Sequence, residues 1–390
     1  MTAIITVGAG LALAIWVWLI LCRGGFWRAD QRIVSGAQQL IHAPPVTVVM
    51  PARNEAETVG RAVISLLRQD YTGRLDIVVV DDGSDDGTAD RVAEVASGFS
   101  QVHIVPAKPL PAGWVGKMWA LDQGVAYARQ LAPEGRYLLL TDADIEHDAG
   151  NVRRLVYKAE TEGRLLVSVM VRLHTQHFWE RLLIPAFVFF FQKLYPFSWV
   201  NNPAKRTAAA AGGCMLLNRD ALEAIGGIAA VRGELIDDCA LARRIKAHGP
   251  IWLGLSSRIR SLRRYAGLGG LWQMVARTAF TQLGYSVLAL AGTIVAMTLT
   301  YLVPPIAFVY GVVTGALPSA VLGGIAWALM IRAQRPTLAL YRLAWWRGTL
   351  LPFAALLFTL MTLDSARRHW QGRGGTWKGR HYGTVGSGLR

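Results

Sequence analysis

With 390 residues, the chain is long enough for one large domain or two of ordinary size. Its residues are 53% hydrophobic and 17% charged, with 14 Trp, which argues against both an ordinary soluble protein and a fully membrane-embedded one. The net charge of +15 is compatible with nucleic acid, anionic lipid or a basic surface without a specific partner, and the long apolar segments favour lipid over nucleic acid.

The first predicted element is an apolar helix from Ile4 to Cys22, about the length needed to cross a bilayer. No Lys or Arg precedes it, whereas Arg23, Arg28 and Arg32 follow it. The positive-inside rule therefore predicts an uncleaved anchor whose C-terminal end faces the cytoplasm.

The next part of the chain has the pattern of a soluble α/β domain. Apolar segments that end in polar residues, such as VTVVMPARNE and RYLLLTDAD, predict strands. Helical segments alternate with them, and Val59, Val63, Leu66 and Leu67 share one helical face. This alternation predicts βαβ units in a mostly parallel sheet, which binds ligands at the carboxyl ends of its strands.

An apolar segment inside this domain, residues 181–200, is interrupted by Pro185, Lys193 and Pro196. These interruptions favour a helix or hairpin in the membrane interface over a full span, and a core helix is a further alternative.

The C-terminal third is again apolar. Residues 283–331, broken at Pro304 and Pro305, predict two spans, and residues 349–363 either cross the membrane or lie in its interface. A crossing would place the basic tail outside, against the charge rule, whereas an interfacial segment would keep it inside.

The predicted parts are an N-terminal transmembrane anchor (1–24), a cytoplasmic domain (44–265), a C-terminal transmembrane region (280–366) and a basic tail (367–390).

Acidic residues follow two predicted strands. In DDGS, Asp82 precedes Gly83, which permits close approach of a ligand to the backbone. In TDAD, Asp142 and Asp144 have the spacing to face one ion, and their hard oxygens suit Mg²⁺ or Mn²⁺ that also binds substrate phosphates. Without a ligand, we expect both carboxylates to be unpaired and open to water. Glu146 and Asp148, a little further on, are expected to be solvated.

Two further candidates lie away from the strands. The chain has no P-loop and no dinucleotide fingerprint, so Lys117 in GWVGKMWAL is either a phosphate-binding residue or a surface lysine. Asp237 and Asp238 open a predicted helix, where they either stabilise the helix dipole or supply a general base.

Together, PARNEAETV, VVVDDGSDDGT, GKMWALDQG, TDAD, AAGGCMLLNRDAL and IDDCAL resemble the family 2 glycosyltransferases, which have the GT-A nucleotide-sugar fold. The resemblance covers a little over half the chain. It implies that Asp82 contacts the nucleotide base, Asp142 the ribose and diphosphate-bound metal, and Asp144 the metal directly. It also implies that Asp238 is the catalytic base, beside Asp237 where Glu is usual. The remaining donor-binding candidates are Asn54, Glu55 and Lys117.

One motif departs from the family pattern. In LWQMVARTAF, Arg277 matches the Arg of the Gln-x-x-Arg-Trp motif of processive members, but Met274 and Thr278 replace its Gln and Trp. This departure argues against a polymer-extruding enzyme.

The layout and the tail pattern of Trp377 to Arg380 with Tyr382 resemble bacterial lipid glycosyltransferases. PAGWVGKMWAL and VARTAFTQL are similar to the hopene-associated members. This resemblance implies a multi-pass protein of the bacterial inner membrane, with a cytoplasmic catalytic domain. It further implies inverting, metal-dependent transfer from a nucleotide sugar, such as a UDP-sugar, to a hopanoid or related isoprenoid. Two alternatives stay open: a polyprenyl-phosphate sugar synthase, and an inactive membrane scaffold that binds lipid or nucleotide sugar.

Overall fold

The computed structural model describes residues 1–33 and 40–372, together with the backbone of Thr376–Trp377 and Arg380–His381. The described chain divides into two compact units. The helical unit contains residues 1–29, 175–198 and 265–372, and the sheet unit contains residues 30–33, 40–174 and 199–264. The last part of the predicted basic tail, including the side chains of the Trp377–Arg380 pattern and Tyr382, lies outside the described residues.

Eight described strands form one sheet. They are β1 (Val46–Ala52), β2 (Leu75–Asp81), β3 (Val102–Pro106), β4 (Tyr137–Thr141), β5 (Ile145–Glu146), β6 (Leu166–Arg172), β7 (Cys214–Asn218) and β8 (Ile251–Ser261). Their order is β3-β2-β1-β4-β7-β6-β8-β5. The pairings β1–β2, β1–β4, β2–β3 and β6–β8 are parallel, whereas those that involve β7 or β5 are antiparallel. The prediction of a mostly parallel α/β sheet is confirmed.

The described α-helices of both units are numbered in chain order. They are α1 (Thr2–Cys22), α2 (Ala56–Leu67), α3 (Thr88–Ala96), α4 (Gly116–Leu131), α5 (Asn151–Glu162), α6 (Phe178–Leu194), α7 (Phe197–Val200), α8 (Arg219–Ala224), α9 (Asp237–Lys246), α10 (Gly267–Ala276), α11 (Ala279–Gln282), α12 (Val287–Met297), α13 (Val303–Thr314), α14 (Leu317–Leu340) and α15 (Leu351–Trp370).

Strand β2 illustrates why the central strands are continuous apolar runs. Ile77 and Val79 belong to the core cluster that includes α2, while Val78 and Val80 pack on the opposite face with Ala120 of α4. Successive strand side chains point to opposite faces, so a strand with helices on both sides needs apolar residues throughout. Polar residues are therefore confined to the strand ends.

Helix α4 lies directly against the sheet. A Cβ atom on Gly124 would lie 2.4 Å from Val49 Cγ1 and 2.9 Å from Val80 Cγ2, closer than side chains can pack. The glycine thus permits a close helix–strand approach, which fixes the N-terminal end of α4, where Lys117 lies.

Helix α3 begins directly after a glycine in the left-handed conformation. Gly87, with φ 85°, is the N-cap residue, and Thr88 is the first helical residue. The buried Thr88 hydroxyl accepts a hydrogen bond of 2.9 Å from the backbone N–H of Glu55. It therefore joins the loop after β1 to α3.

The described residues include four helical segments that are long and apolar enough to cross a membrane: Thr2–Cys22, Val287–Thr314, Leu317–Leu340 and Trp345–Trp370. The first agrees with the predicted N-terminal anchor. The apolar segment at 181–200 instead forms the single 17-residue helix α6, with Pro185 inside it, followed by α7.

The sequence predicted a break at Pro304 and Pro305, but the chain turns between the second and third segments at Gly315 and Ala316. Both prolines are in the first turn of α13, which continues from α12 through a π-helical segment, Thr298–Leu302. Pro304 has no N–H to donate to the Thr300 carbonyl. The indole of Trp16 supplies that hydrogen bond instead, at 2.7 Å, which lets the helix continue through the prolines.

Candidate active site

Four of the predicted site residues form one cluster in the sheet unit. Lys117 Nζ lies 2.8 Å from Asp142 Oδ1 and 3.6 Å from Asp237 Oδ2. Burial lowers the pKa of Lys117, but Asp142 and Asp237 outweigh that effect and hold it above its ordinary value. Lys117 is therefore a permanent cation between the end of β4 and the start of α9, and not a surface lysine.

Asp238 lies beside this cation, at the start of α9. Its Oδ2 accepts a hydrogen bond of 2.9 Å from the backbone N–H of Gly212, and its Oδ1 accepts one of 2.7 Å from Cys239. Desolvation, reinforced by the charge of Asp237, raises the pKa of Asp238 to about 6. A carboxylate whose pKa lies close to 7 is suited to accept a proton during a reaction near pH 7.

Asp144 belongs to a second group of charged residues near the same strand end. Its Oδ2 accepts a hydrogen bond of 3.0 Å from the Ser261 hydroxyl and lies 3.6 Å from Arg263 Nε. Arg263 also donates to Glu55 Oε1 at 3.2 Å. Desolvation and the nearby charge of Asp142 raise the pKa of Asp144 to about 6.

These contacts overturn the expectation that Asp142 and Asp144 are unpaired without a ligand. Asp142 is paired with Lys117, and Asp144 with Arg263. The physical reason is burial: Asp144 is only 8% exposed, and a desolvated carboxylate needs a cation or hydrogen-bond donors close by.

The prediction that Glu146 and Asp148 are merely solvated is also wrong. Glu146 pairs with Arg61 at 3.1 Å and with Arg260, and Asp148 pairs with Arg154 at 2.5 Å. The Arg260 hydrogen bond holds the pKa of Glu146 below its usual range despite partial burial. Both residues are thus structural partners of arginines brought from other parts of the sheet unit.

The loop after β1 is tied to the loop after β2. Asn54 has a positive φ of 51°, a conformation that Asn tolerates better than most residues. Its N–H donates to Ser84 Oγ at 3.0 Å, and its Oδ1 accepts from the N–H of Asp85 at 3.1 Å. Asp82 is 2% exposed, and its Oδ2 lies 3.7 Å from Arg53 Nη1.

A polar cleft of about 530 Å³ lies beside these loops. Its size is in the range of small-molecule sites. It is lined by the loops after β1 and β2, helix α2 and the segment after β8, namely Asn54, Glu55, Ala56, Glu57, Thr58, Arg61, Asp86, Leu262, Arg263 and Arg264. The arginines supply the positive charge that a phosphate-bearing ligand needs.

The carboxylates suit a metal that is only partly held by protein. Among the described residues, no group of three or more His, Cys, Asp or Glu side chains could hold an ion on its own. Mg²⁺ is often bound by one or two carboxylates while substrate phosphates and water complete its shell. Asp142 and Asp144 could supply two such carboxylates.

The sequence reasoning missed three contributors: Arg263, Ser261 and the N–H of Gly212. Arg263 and Ser261 lie in a basic segment that gives no motif signal, and a backbone donor has no side-chain signature. Of the predicted site residues, Arg277 is in the helical unit, exposed at the C-terminal end of α10.

Comparison with known proteins gives a match over nearly half of the chain. Residues 47–226, most of which lie in the sheet unit, match the model for Glycosyl transferase family 2. The solved structure of the mannosyltransferase PcManGT from Pyrobaculum calidifontis, in complex with GDP-Man and Mn²⁺, has the same fold. It aligns over 90% of this chain and 99% of its own, with a TM-score of 0.50 and 18% identity.

Two curated relatives are similar over shorter regions. A probable glycosyltransferase of Bacillus subtilis, YdaM, is 32% identical over 138 residues, which are 33% of this chain and 31% of YdaM. A 4,4'-diaponeurosporenoate glycosyltransferase of Staphylococcus aureus is 28% identical over 200 residues, 50% of each chain. The matched regions therefore span a third to a half of these relatives.

Proposed function

We propose that this chain is an inverting, metal-dependent glycosyltransferase that moves a sugar from a nucleoside diphosphate sugar, such as a UDP-sugar, to the hydroxyl of a membrane lipid. The observation that carries the proposal is the position of Asp238, whose pKa is raised, beside the Lys117–Asp142 pair in the unit that contains most of the family 2 match. The intact set of acidic residues favours an enzyme over an inactive scaffold.

In the proposed reaction, Asp238 accepts the proton of the lipid hydroxyl as its oxygen forms a bond to the anomeric carbon. The bond from that carbon to the diphosphate oxygen breaks in the same displacement, which inverts the configuration. The N–H groups of Gly212 and Cys239 hold the Asp238 carboxylate in place through the reaction. General-base catalysis of this kind contributes roughly 10²–10⁴-fold in rate.

The donor would bind at the carboxyl ends of β1, β2 and β4. Asn54, Glu55 and Asp82 are assigned to the nucleoside, and Lys117 and Arg263 to charge on the donor. Asp142 and Asp144 would hold Mg²⁺ or Mn²⁺, which would stabilise the negative charge of the leaving diphosphate when bound. Asp237 keeps Lys117 in position.

A lipid acceptor is supported by the four apolar helices and by the lipid-related acceptor in the name of the Staphylococcus relative. We assign the acceptor to the hopanoids or related isoprenoids, and the protein to the bacterial inner membrane with its catalytic domain in the cytoplasm. Nucleic acid has no part in this assignment.

The test is incubation of purified full-length protein with labelled UDP-sugar, Mg²⁺ and a hopanoid alcohol, followed by analysis of the extracted lipid. An acid-stable glycoside with inverted anomeric configuration is expected. An acid-labile sugar phosphate, formed only when a polyprenyl phosphate is added, would identify the polyprenyl-phosphate synthase instead. A lipid profile of a deletion strain beside the wild type identifies the natural acceptor.

A further inference from the structure

Three buried polar side chains next to the candidate active site take no part in the proposed chemistry. Thr141 is the last residue of β4, directly before Asp142, and is 1% exposed. His147 and Asn151 are 4% and 0% exposed. Buried polar groups need hydrogen-bond partners, and those of Thr141 and His147 lead to the active site.

The hydrogen bonds of these side chains run in one direction. Thr141 Oγ1 donates to the carbonyl of Gly213 at 2.8 Å. That bond uses the hydroxyl proton, so in the 3.0 Å contact between Thr141 Oγ1 and His147 Nε2 the imidazole N–H is the donor. His147 Nδ1 then accepts a hydrogen bond of 2.8 Å from the amide of Asn151. Burial lowers the pKa of His147 to about 4 despite the charge of Asp148, which keeps the ring in the neutral form that this arrangement needs.

Two helices hold the imidazole in place. The backbone N–H of His147 donates to Ser65 Oγ of α2 at 3.0 Å, and that hydroxyl donates to the Ala62 carbonyl at 2.7 Å. Asn151, which donates to the ring, is the first residue of α5. The position of the ring is therefore set by the core of the sheet unit and not by the strand end that it contacts.

The glycine before Gly213 contacts the proposed base. The N–H of Gly212 donates to Asp238 Oδ2 at 2.9 Å. A Cβ on Gly212 would lie 3.3 Å from Lys117 Nζ and 3.5 Å from Asp238 Oδ2, so a larger residue would crowd both charged groups. The space beside the base therefore favours glycine at this position.

Hydrogen bonds restrain the Gly212–Gly213 pair from both sides. Two successive glycines have more backbone freedom than other residues, so their conformation depends on such restraints. Before the pair, the N–H of Ala211 donates to Ser168 Oγ at 2.8 Å, and after it the carbonyl of Gly213 accepts from Thr141. The Gly212 N–H lies between these two bonds, which together set the direction in which it points.

We propose that His147 and Thr141 are positioning residues that direct the Gly212 N–H at the Asp238 carboxylate. This role rests on the proposed function, in which Asp238 is the base. Desolvation raises the pKa of Asp238, and the Gly212 hydrogen bond opposes that effect and holds the carboxylate for proton transfer. Without it, turnover should fall and the acidic limb of the pH profile should move to higher pH. Donor affinity should change little, because the described residues that line the polar cleft include neither positioning residue.

The test compares Thr141→Val, which removes the hydroxyl and keeps the shape of the side chain, with Thr141→Ser, which keeps the hydroxyl. Turnover and the donor KM are measured with labelled nucleotide sugar as a function of pH. Thr141→Val is expected to lower turnover about tenfold and to shift the acidic limb upward, with the donor KM changed less than about twofold. Thr141→Ser should remain close to the wild type.

The matched control is Thr47→Val in β1. Thr47 is also fully buried in a strand of the sheet, but its hydroxyl has no hydrogen-bond partner among the described residues. Its replacement should leave turnover and the pH profile unchanged.

A second pair of variants tests the imidazole and gives the same comparison if Thr141→Val folds poorly. His147→Leu removes the donor to Thr141, whereas His147→Gln keeps an amide N–H that can replace the Nε2–H group. His147→Leu should show the loss of turnover and the shifted acidic limb. His147→Gln should restore both in part.

Combination with Asp238→Asn separates a failure of this role from a failure of the proposed function. The base is already lost in that variant, so adding Thr141→Val should lower turnover further by less than about twofold. A further fall as large as in the wild-type background would overturn the positioning role and leave the proposed function intact. Wild-type behaviour of both Thr141→Val and His147→Leu would also overturn it, and so would an equal loss in Thr47→Val. Near-normal turnover in Asp238→Asn alone would instead overturn the assignment of the base, and the positioning role with it.

Discussion

Arg263 Nε lies 3.6 Å from Asp144 Oδ2, so the carboxylate assigned to the metal already has a cationic neighbour in the ligand-free protein. Arg263 is 40% exposed in its side chain, lines the polar cleft and also bonds to Glu55. The proposed function assigns Arg263 to the charge of the donor, for which it would exchange its carboxylate partners for phosphate oxygens.

Replacing Arg263 tests that assignment. Arg263→Gln should raise the KM for the nucleotide sugar by about 10- to 100-fold, because a charge-assisted hydrogen bond contributes roughly 1.5–3 kcal/mol. The turnover number should change much less. Steady-state kinetics with varied donor measures both. Arg258→Gln, an exposed arginine of β8, is the matched control, and an unchanged KM in Arg263→Gln would remove Arg263 from the donor site.

Lys117 should control the ionisation of Asp238 as well as the position of Asp142. Its charge lowers the pKa of Asp238 against the larger effect of desolvation. Lys117→Met should therefore shift the acidic limb of the pH–activity profile upward by about one pH unit, in addition to lowering activity. Lys108 is exposed, and the control Lys108→Met should leave the midpoint of the acidic limb unchanged. A profile that keeps its wild-type midpoint in Lys117→Met would show that this charge does not act on the base.

The dependence of wild-type turnover on pH follows from the raised pKa of Asp238. The base works only as a carboxylate, so turnover should be constant above the pKa and fall tenfold per unit below about pH 6. An unperturbed aspartate would keep its activity down to about pH 4. Turnover at saturating donor and Mg²⁺ should be followed from pH 4.5 to 8, together with donor affinity, because Asp144 has a similarly raised pKa. A midpoint near pH 4 would contradict the assignment.

The contact of α4 with β1 leads to a stability prediction. Gly124→Ala puts a methyl group 2.4 Å from Val49 Cγ1, and the strand must move to relieve the clash. We expect a loss of about 1–3 kcal/mol in unfolding free energy. Chemical denaturation in detergent measures it, with Gly233→Ala as the control, since a Cβ there would meet its nearest atom at 3.7 Å. Equal stability of the two variants would mean that α4 is not held against the sheet in this way.

Local patterns in the sequence were enough to predict the sheet and most of the candidate site. Asp142, Lys117, Asp237 and Asp238 each follow a recognisable strand or helix signal, and the structure brings all four together. Their partners were not predictable in the same way. The Arg263 pairing with Asp144 joins residues far apart in sequence, and burial, which makes such a pairing necessary, is a property of the folded chain.

The helical unit shows the same limit. Composition predicted apolar segments of suitable length, but hydropathy cannot distinguish a helix that crosses a bilayer from one that lies across the end of a bundle. Likewise, the Pro304–Pro305 pair looks like a helix break until Trp16 is seen to bond to the Thr300 carbonyl.

Asp238→Asn tests the central claim most directly, because it removes the base and preserves the shape of the side chain. Turnover and donor affinity should be measured in the same preparation, with Asp220→Asn as a control for an exposed aspartate in the first turn of a helix. The account predicts a fall in turnover of roughly 10²–10⁴-fold with nearly unchanged donor affinity and a normal control. Near-normal turnover in Asp238→Asn would contradict it and leave Asp238 as a partner of the helix dipole.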